Sequence, residues 1–493
     1  MNPRTIAAIA AGKAAAAASR LLGRGGGTAI AGLAALRVDP TLVRVLTAQA
    51  GAGSIAITGT NGKTTTSLML SRIATATGLQ PLHNRSGSNL MRGVAAMLVE
   101  EARLSGAIPN AAKRLAILEV DEATLPEIAR AVAPNVIVFT NLFRDQLDRY
   151  GEVDAVAASW ERALAPSPRP LPHEGRGALD GVRSTIVLNA DDPAVAHLGR
   201  GYGGRVVYYG IDDTRAAGEG DDHASDFRTC LNCGAEIAYT ATFYGHIGHW
   251  RCPSCGNARP TPEIRVTTVE LGDDATSLSI VMDDSSPPLS ARRRGAGGEV
   301  TTLHITLPLA GLYNAYNALA AAAGALALGL PHEAIVSALD GFSAAFGRQE
   351  RFIVDGRVVQ VLLGKNPTGL NQVLRTIAAR DGRKRVLFFL NDGIADGRDI
   401  SWIWDADYET LQPQTDWTLA AGTRAEDLAL RLKYAGFGDD IPTEHDTATA
   451  LQCALDATPS GETLYVIPTY TAMLEARELL AKRAGATKFW EGA

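Results

Sequence analysis

The sequence predicts an α/β fold, a mostly parallel sheet followed by a second, smaller α/β domain, and three observations carry that prediction. Strand-like runs at Arg114 to Val120, Asn135 to Thr140 and Thr185 to Asn189 are each followed by a helical pattern. An earlier apolar run, Ser54-Ile55-Ala56-Ile57-Thr58, leads through a glycine turn into the helix-forming stretch Ser67 to Arg72. After Phe352 the alternation restarts, with strands near Val358 to Leu363, Arg385 to Leu390, Trp417 to Ala420 and Thr463 to Ile467. At 493 residues the chain exceeds one core, since domains run to about 100–200 residues. The expected division is an N-terminal helical segment over 1–50, a nucleotide-binding domain over 51–345 and a C-terminal α/β domain over 346–493. No internal repeats are evident.

The N-terminal segment is alanine-rich, with Ala14 to Ala18 unbroken, but Lys13, Arg20 and Arg24 interrupt it and Gly25-Gly26-Gly27 ends it. No apolar stretch reaches the roughly 20 residues of a membrane span. An amphipathic helix lying on the next domain is the expectation, and a helix resting on the inner membrane surface is the alternative. Charged residues make up 20% and the net charge is −6, which argues against a nucleic-acid surface.

The glycine turn reads Gly59-Thr60-Asn61-Gly62-Lys63-Thr64-Thr65-Thr66. Glycines between a strand and a helix let backbone N–H groups face an anion, and the helix adds its positive end. In such a loop Lys63 reaches the β- and γ-phosphates of a nucleotide and the Thr64 hydroxyl sits on Mg²⁺. Leu118-Glu119-Val120-Asp121-Glu122 ends a strand at the edge where parallel sheets place ligands. Glu119 is the favoured Mg²⁺ ligand and a catalytic carboxylate, with helix capping as the structural role for Asp121. A second strand end, Thr140 to Gly151, gathers Asn141, Arg144, Asp145 and Asp148, a set suited either to metal and phosphate or to an ion-paired surface helix.

Four of the five cysteines form two knuckles, Cys230-Leu-Asn-Cys233-Gly and Cys252-Pro-Ser-Cys255-Gly, within an insertion near 225–262. Four thiolates at this spacing are a zinc ribbon, and with no open ligand position the site reads as structural. Disulfides are the weaker alternative. Cys453 is expected to be a small buried residue. Pro166 to Arg183 and Pro287 to Gly298 read as solvated loops.

Several motifs occur in order: Gly59 to Thr64, Glu119, Thr140-Asn141 with Asp145, Asp148 and Gly151, Asn189-Ala190-Asp191-Asp192-Pro193, Gly311 to Ala321, and Gly347-Arg348-Gln349-Glu350. Together they resemble the Mur ligases, which activate a carboxylate with ATP as an acyl phosphate and couple it to an amine. The four-cysteine insertion, Ser88 to Gly93, Lys365 to Gln372 and Asn391 to Asp405 narrow the resemblance to the MurT branch. That branch pairs with the glutamine amidotransferase GatD to amidate the α-carboxylate of D-glutamate in lipid II, at the cytoplasmic face of the membrane.

The resemblance implies that Asn317 faces adenine, that Arg348 contacts nucleotide and that Lys365-Asn366-Pro367 closes the site. It also implies that a carboxylate among Asp399, Asp405 and Asp396, in that order, orients the partner's histidine, with a loop or capping role as the alternative. Trp402 and Trp404 are candidates for a partner surface, or for core packing. The sequence departs from many Mur ligases at Trp160, near where a carbamylated lysine would stand. Two rival readings stay open. One is a stand-alone Mur or folylpolyglutamate-type ligase that adds an amino acid. The other is a nucleotide-switched binding module whose ribbon recruits nucleic acid.

Overall fold

The computed structural model describes residues 2–21, 28–84, 88–145, 153–165, 184–218, 226–283, 300–342 and 348–485. Three helices come first, α1 (Pro3–Leu21), α2 (Thr28–Val38) and α3 (Leu42–Thr47). The sheet-forming segment then runs β1 (Ser54–Thr58), α4 (Lys63–Ala76), β2 (Gln80–His83), α5 (Met91–Glu101), β3 (Arg114–Glu119), α6 (Leu125–Val132) and β4 (Val136–Phe139). It continues through α7 (Val153–Leu164), β5 (Thr185–Asn189), α8 (Pro193–His197) and β6 (Val206–Ile211). The hairpin β7 (Ala238–Tyr244) and β8 (Ile247–Arg251) precedes β9 (Ile264–Leu271), β10 (Thr276–Asp283) and β11 (Val300–Leu307). Helices α9 (Leu312–Ala327) and α10 (His332–Asp340) complete this part.

A second sheet begins with β12 (Arg348–Val354) and β13 (Arg357–Leu362), then α11 (Pro367–Ala378), β14 (Lys384–Phe389) and β15 (Thr415–Ala421). It ends with α12 (Ala425–Tyr434), β16 (Thr443–Glu444), α13 (Thr447–Ala457), β17 (Thr463–Ile467) and α14 (Tyr470–Ala484).

Among the described residues the first sheet has nine strands, in the order β11-β10-β9-β6-β5-β4-β1-β3-β2. From β2 to β9 the pairings are parallel, with residues alternating between two cores: Ile55 and Ile57 join one, Ala56 the other. Helices on both faces make this possible. The chain fills β2 and β3 on one side of β1 and β4 to β6 on the other. The carboxyl end of β1 is therefore the switch point where a ligand crevice opens. Register sets Ile57 beside Glu119 and Thr58 beside Phe139, so the ends of β3 and β4 flank the glycine turn.

Strands β9, β10 and β11 form an antiparallel meander that the parallel expectation left out. Strands β9 and β10 are joined directly by the short turn 272–275, so the βα alternation gave no sign of the meander. The second sheet, β12-β13-β17-β14-β15-β16, is parallel apart from its β12–β13 hairpin.

The N-terminal segment corrects the expectation of one amphipathic helix. Helix α2 packs against both α1 and α5, making a helical hairpin on the first domain. Small residues permit that approach: a Cβ at Gly32 would stand 1.7 Å from the Arg92 carbonyl oxygen. Alanine on both faces of α1 erased the polar contrast by which amphipathicity is read.

Cys453 is also corrected: it is exposed, because α13 turns Ala450, Leu451, Ala454 and Leu455 inward. The expected loop Pro166 to Arg183 lies outside the described residues, as do Pro287 to Gly298, Asp148 and Gly151.

Candidate active site

The glycine turn is strapped to the end of β4. Thr60 N donates to Asn141 O (2.9 Å) and Asn61 N to Asn141 Oδ1 (2.9 Å), while Thr140 Oγ1 donates to Asn61 O (2.8 Å). Gly62 opens α4 with φ 88°, and a Cβ there would stand 2.0 Å from Asn317 Oδ1. Only glycine meets both demands. Asn317 therefore packs on the turn from α9, its amide bonded to Asn314 Oδ1 at 3.2 Å.

Lys63 is 7% exposed and folds back, donating to Glu122 Oε2 at 2.9 Å, to Thr60 O at 3.2 Å and to Gly59 O. Burial works against its charge, but the carboxylates of Glu122, Asp121 and Asp145 together outweigh this and lift the ammonium above its usual value. Burial lifts the Glu122 carboxyl as well, against the pull of Lys63. The sequence reading passed over Glu122, although it lies in the same acidic string as Glu119.

Thr64 Oγ1 donates to Glu119 Oε1 at 3.0 Å. Asn84 fixes Glu119 through both backbone groups, each at 2.8 Å. A hydroxyl and a carboxylate beside a phosphate-type turn are oxygen donors of the kind Mg²⁺ takes. Thr65 is buried within α4.

The second sheet reaches this turn. Lys365 Nζ binds Asp145 Oδ2 at 2.6 Å, and Asn366, the N-cap of α11, donates from Nδ2 to Asn61 Oδ1 at 3.0 Å. Between the two parts lies a cavity of about 530 Å³ lined by Thr60 to Thr65, Glu119, Glu122, Asp145, Asn317 and Lys365, with apolar Leu309, Phe342 and Val373. Asn61 Nδ2, Asp145 Oδ1 and Gln372 Nε2 are buried on its lining with no hydrogen-bond partner among the described residues. Buried polar atoms left this way are costly unless a ligand meets them.

Trp160 is fully buried on α7, its ring edge-on to Phe139 and its indole N–H on Glu122 O at 2.9 Å, and it does not line the cavity. Arg348 opens β12, and its side chain lies outside the described residues.

The three candidate aspartates separate. Asp396 is buried, with its two oxygens accepting from Thr471 N (2.8 Å) and Thr471 Oγ1 (2.6 Å), a structural tie to the start of α14. Asp399 is exposed and accepts from Ser401 N at 2.8 Å. Asp405 lies 3.7 Å from Arg144 Nη1, beside the first domain. Trp402 packs partly against the second domain's core, while Trp404 is 49% exposed.

The four cysteine sulfurs lie within 4.8 Å of one another, Cys230 to Cys255 at 3.7 Å and Cys233 to Cys252 at 3.5 Å. A Zn–S bond of about 2.3 Å makes a tetrahedron with edges of about 3.8 Å, so the cluster fits that ion. The Asn232 side-chain amide, helped by the Asn257 N–H, holds the Cys255 thiol down at about 6.

The ribbon is built into the first domain rather than appended to it. Phe243, Tyr244 and Ile247 join its core, and Trp250 Nε1 donates to Ala190 O at 3.0 Å. Asp191, fully buried, binds Arg259 from the ribbon side and the Tyr316 hydroxyl (2.7 Å) from α9.

Residues 57–245 match the Mur ligase middle domain and residues 363–473 match the MurT ligase C-terminal domain. A lipid II isoglutaminyl synthase (glutamine-hydrolyzing) subunit MurT from Staphylococcus aureus strain COL is 32% identical over 474 residues, 96% of this chain and 97% of that protein. The chain belongs to the MurT family. A MurT subunit from Streptococcus pneumoniae R6 is 31% identical and covers 98% of both chains.

Two solved structures share the Mur ligase fold of this MurT family chain. The pseudomurein peptide ligase type C of Methanothermus fervidus has a TM-score of 0.62 at 22% identity, over 87% of this chain and 78% of that one. MurF of Acinetobacter baumannii has a TM-score of 0.58 at 19% identity, over 90% and 80%. The fold is thus Mur ligase-like, with a four-cysteine insertion in the P-loop domain and a C-terminal α/β domain.

Proposed function

We propose that this chain is the synthetase subunit of a lipid II isoglutaminyl synthase, amidating the α-carboxylate of D-glutamate in the stem peptide with ATP and ammonia. The observation that carries the reading is the closure of Lys365 and Asn366 onto the phosphate-type turn, which sets Asp145 and Lys63 on one cavity. A carboxylate oxygen attacks the γ-phosphorus, ADP leaves, and an acyl phosphate results. Ammonia then attacks the carbonyl carbon and orthophosphate leaves with the former carboxylate oxygen.

In this reading Gly59 to Thr65 cradle the phosphates, and Lys63 exchanges its loop carbonyls for phosphate oxygens. Asn317 and Arg348 serve the nucleotide. Thr64 and Glu119 hold Mg²⁺, which when bound supplies charge neutralisation. Lys365 is set to balance charge on the acyl phosphate. Cys230, Cys233, Cys252 and Cys255 hold a structural Zn²⁺.

Ammonia comes from a GatD-type glutaminase, because Cys230, Cys233, Cys252 and Cys255 are given to metal and Cys453, on an exposed helix face, has no local nucleophile signature in the sequence. Asp399 is the carboxylate best exposed to meet that partner. The boundaries 1–50, 51–345 and 346–493 serve as the working domain division. Lipid II implies work at the cytoplasmic face of the membrane, and among the described residues no helix is long and apolar enough to cross it.

The test is the mass of lipid II after incubation with the chain, ATP and Mg²⁺. A loss of about one mass unit, OH replaced by NH₂, is expected with ammonium alone, and with glutamine only when the partner is present. Incorporation of an amino acid instead would make the chain a stand-alone ligase.

A further inference from the structure

Residues 1–38 include Arg4, Lys13, Arg20, Arg24 and Arg37 and no acidic residue, in a chain whose net charge is −6. The first acid, Asp39, is buried, taking hydrogen bonds from the Thr5 and Thr41 hydroxyls at 2.7 Å, so it is not presented at the surface. Helix α1 turns Thr5, Ala8, Ile9 and Gly12 inward, and α2 turns Ala31, Gly32 and Ala35 inward. Left outside are Ile6, Leu21, Ile30 and Leu33, exposed by 38%, 89%, 50% and 40%, with Arg4, Arg20 and Arg37 exposed among them.

Single exposed leucines are ordinary. Four large aliphatic side chains on two packed helices, in a stretch carrying only positive charge, suit one environment: apolar groups enter the headgroup layer while guanidinium groups meet lipid phosphates. The position fits as well. Ala29, at the start of α2, lines the cavity together with Arg92 of α5, so the hairpin stands at the cavity mouth.

We propose that the outer surface of the α1–α2 hairpin docks on an anionic phospholipid bilayer and holds the cavity mouth at the membrane plane, an inference that rests on the lipid-linked substrate reading above. Among the described residues neither helix of the hairpin is long and apolar enough to cross the bilayer.

The experiment is co-sedimentation of the full chain with vesicles of phosphatidylcholine alone or mixed with phosphatidylglycerol. It is repeated for Ile30→Glu/Leu33→Glu and for Arg20→Glu/Arg37→Glu, with circular dichroism as the check on folding. The chain is expected to bind the phosphatidylglycerol vesicles and to lose that binding with added salt. Each double variant should bind about ten-fold more weakly or worse. Amidation of a water-soluble stem-peptide substrate should be unchanged in both variants, while amidation of vesicle-borne substrate falls with binding.

Absence of binding by the unaltered chain, or equal binding by folded variants, overturns the proposal and leaves the hairpin as a protein-facing surface. Failure of the unaltered chain on the water-soluble substrate counts against the proposed reaction, whereas vesicle binding is read without it.

Discussion

Lys63 carries the heaviest electrostatic load in the site, being buried, charged and balanced by Glu122. Breaking a buried pair strands the other charge, which costs about 3–5 kcal/mol. Lys63→Ala is therefore expected to lose both stability and turnover, the latter by at least about 10²–10³-fold, as for removal of a preorganised donor. Lys63→Met with Glu122→Gln separates the two effects. Urea unfolding should recover most of the stability, and ATP turnover should stay lost.

The sequence displayed Lys63, Thr64 and Glu119 because local spacing carries them. It could not show that Glu122 is the counter-charge, since that follows from where β3 ends relative to the turn. Asp396, Asp399 and Asp405 looked alike for the same reason. Only the fold reveals that Thr471, 75 residues further on, occupies the Asp396 carboxylate.

At the scale of elements, strands β1, β5 and β17 fall where the apolar runs put them, because a buried parallel strand is a short unbroken hydrophobic stretch. The β9–β11 meander was hidden by its mixed polar pattern, one face being half in water. The ribbon was legible as a four-cysteine cluster that could hold a metal, but its attachment through Phe243, Tyr244 and Trp250 was not. With that attachment, a metal ion held by the four cysteines would stabilise the whole first domain. Cys252→Ser, or chelation, is expected to remove about one zinc per chain by elemental analysis and to lower the thermal midpoint by several degrees.

A second link joins the turn after β6 to β9. Asp213 accepts from Arg215 and from Val269 N (2.9 Å), and these bonds, Arg215 first, hold its carboxyl down at about 2 against an ordinary 3.8. Its folded value lies below the unfolded one, so the stabilisation is present above about pH 4 and fades as pH falls towards 2. Arg215 stands largely in water, which keeps the contribution small. Asp213→Asn should lower the urea midpoint near neutral pH and converge with the unaltered chain at pH 2–3.

Across the described residues, the candidate site takes its lining from both sheet-bearing parts. The turn, Glu119 and Asp145 belong to the first part, Lys365 and Asn366 to the second, and the cavity lies between them. The alternation of strands and helices foretold two α/β parts, but not that α11 would cap its own N-terminus with the same asparagine that touches Asn61. This shared asparagine ties helix formation to closure of the site.

Activation of a substrate carboxylate by ATP in this cavity leaves a signature in oxygen transfer. Lipid II labelled with ¹⁸O in the α-carboxylate of D-glutamate is incubated with the chain, ATP, Mg²⁺ and ammonium, and the released orthophosphate is weighed by mass spectrometry. One labelled oxygen is expected in each orthophosphate formed with product. Unlabelled orthophosphate, released while the amide forms, would contradict the acyl phosphate and the role given to Lys63 and Lys365.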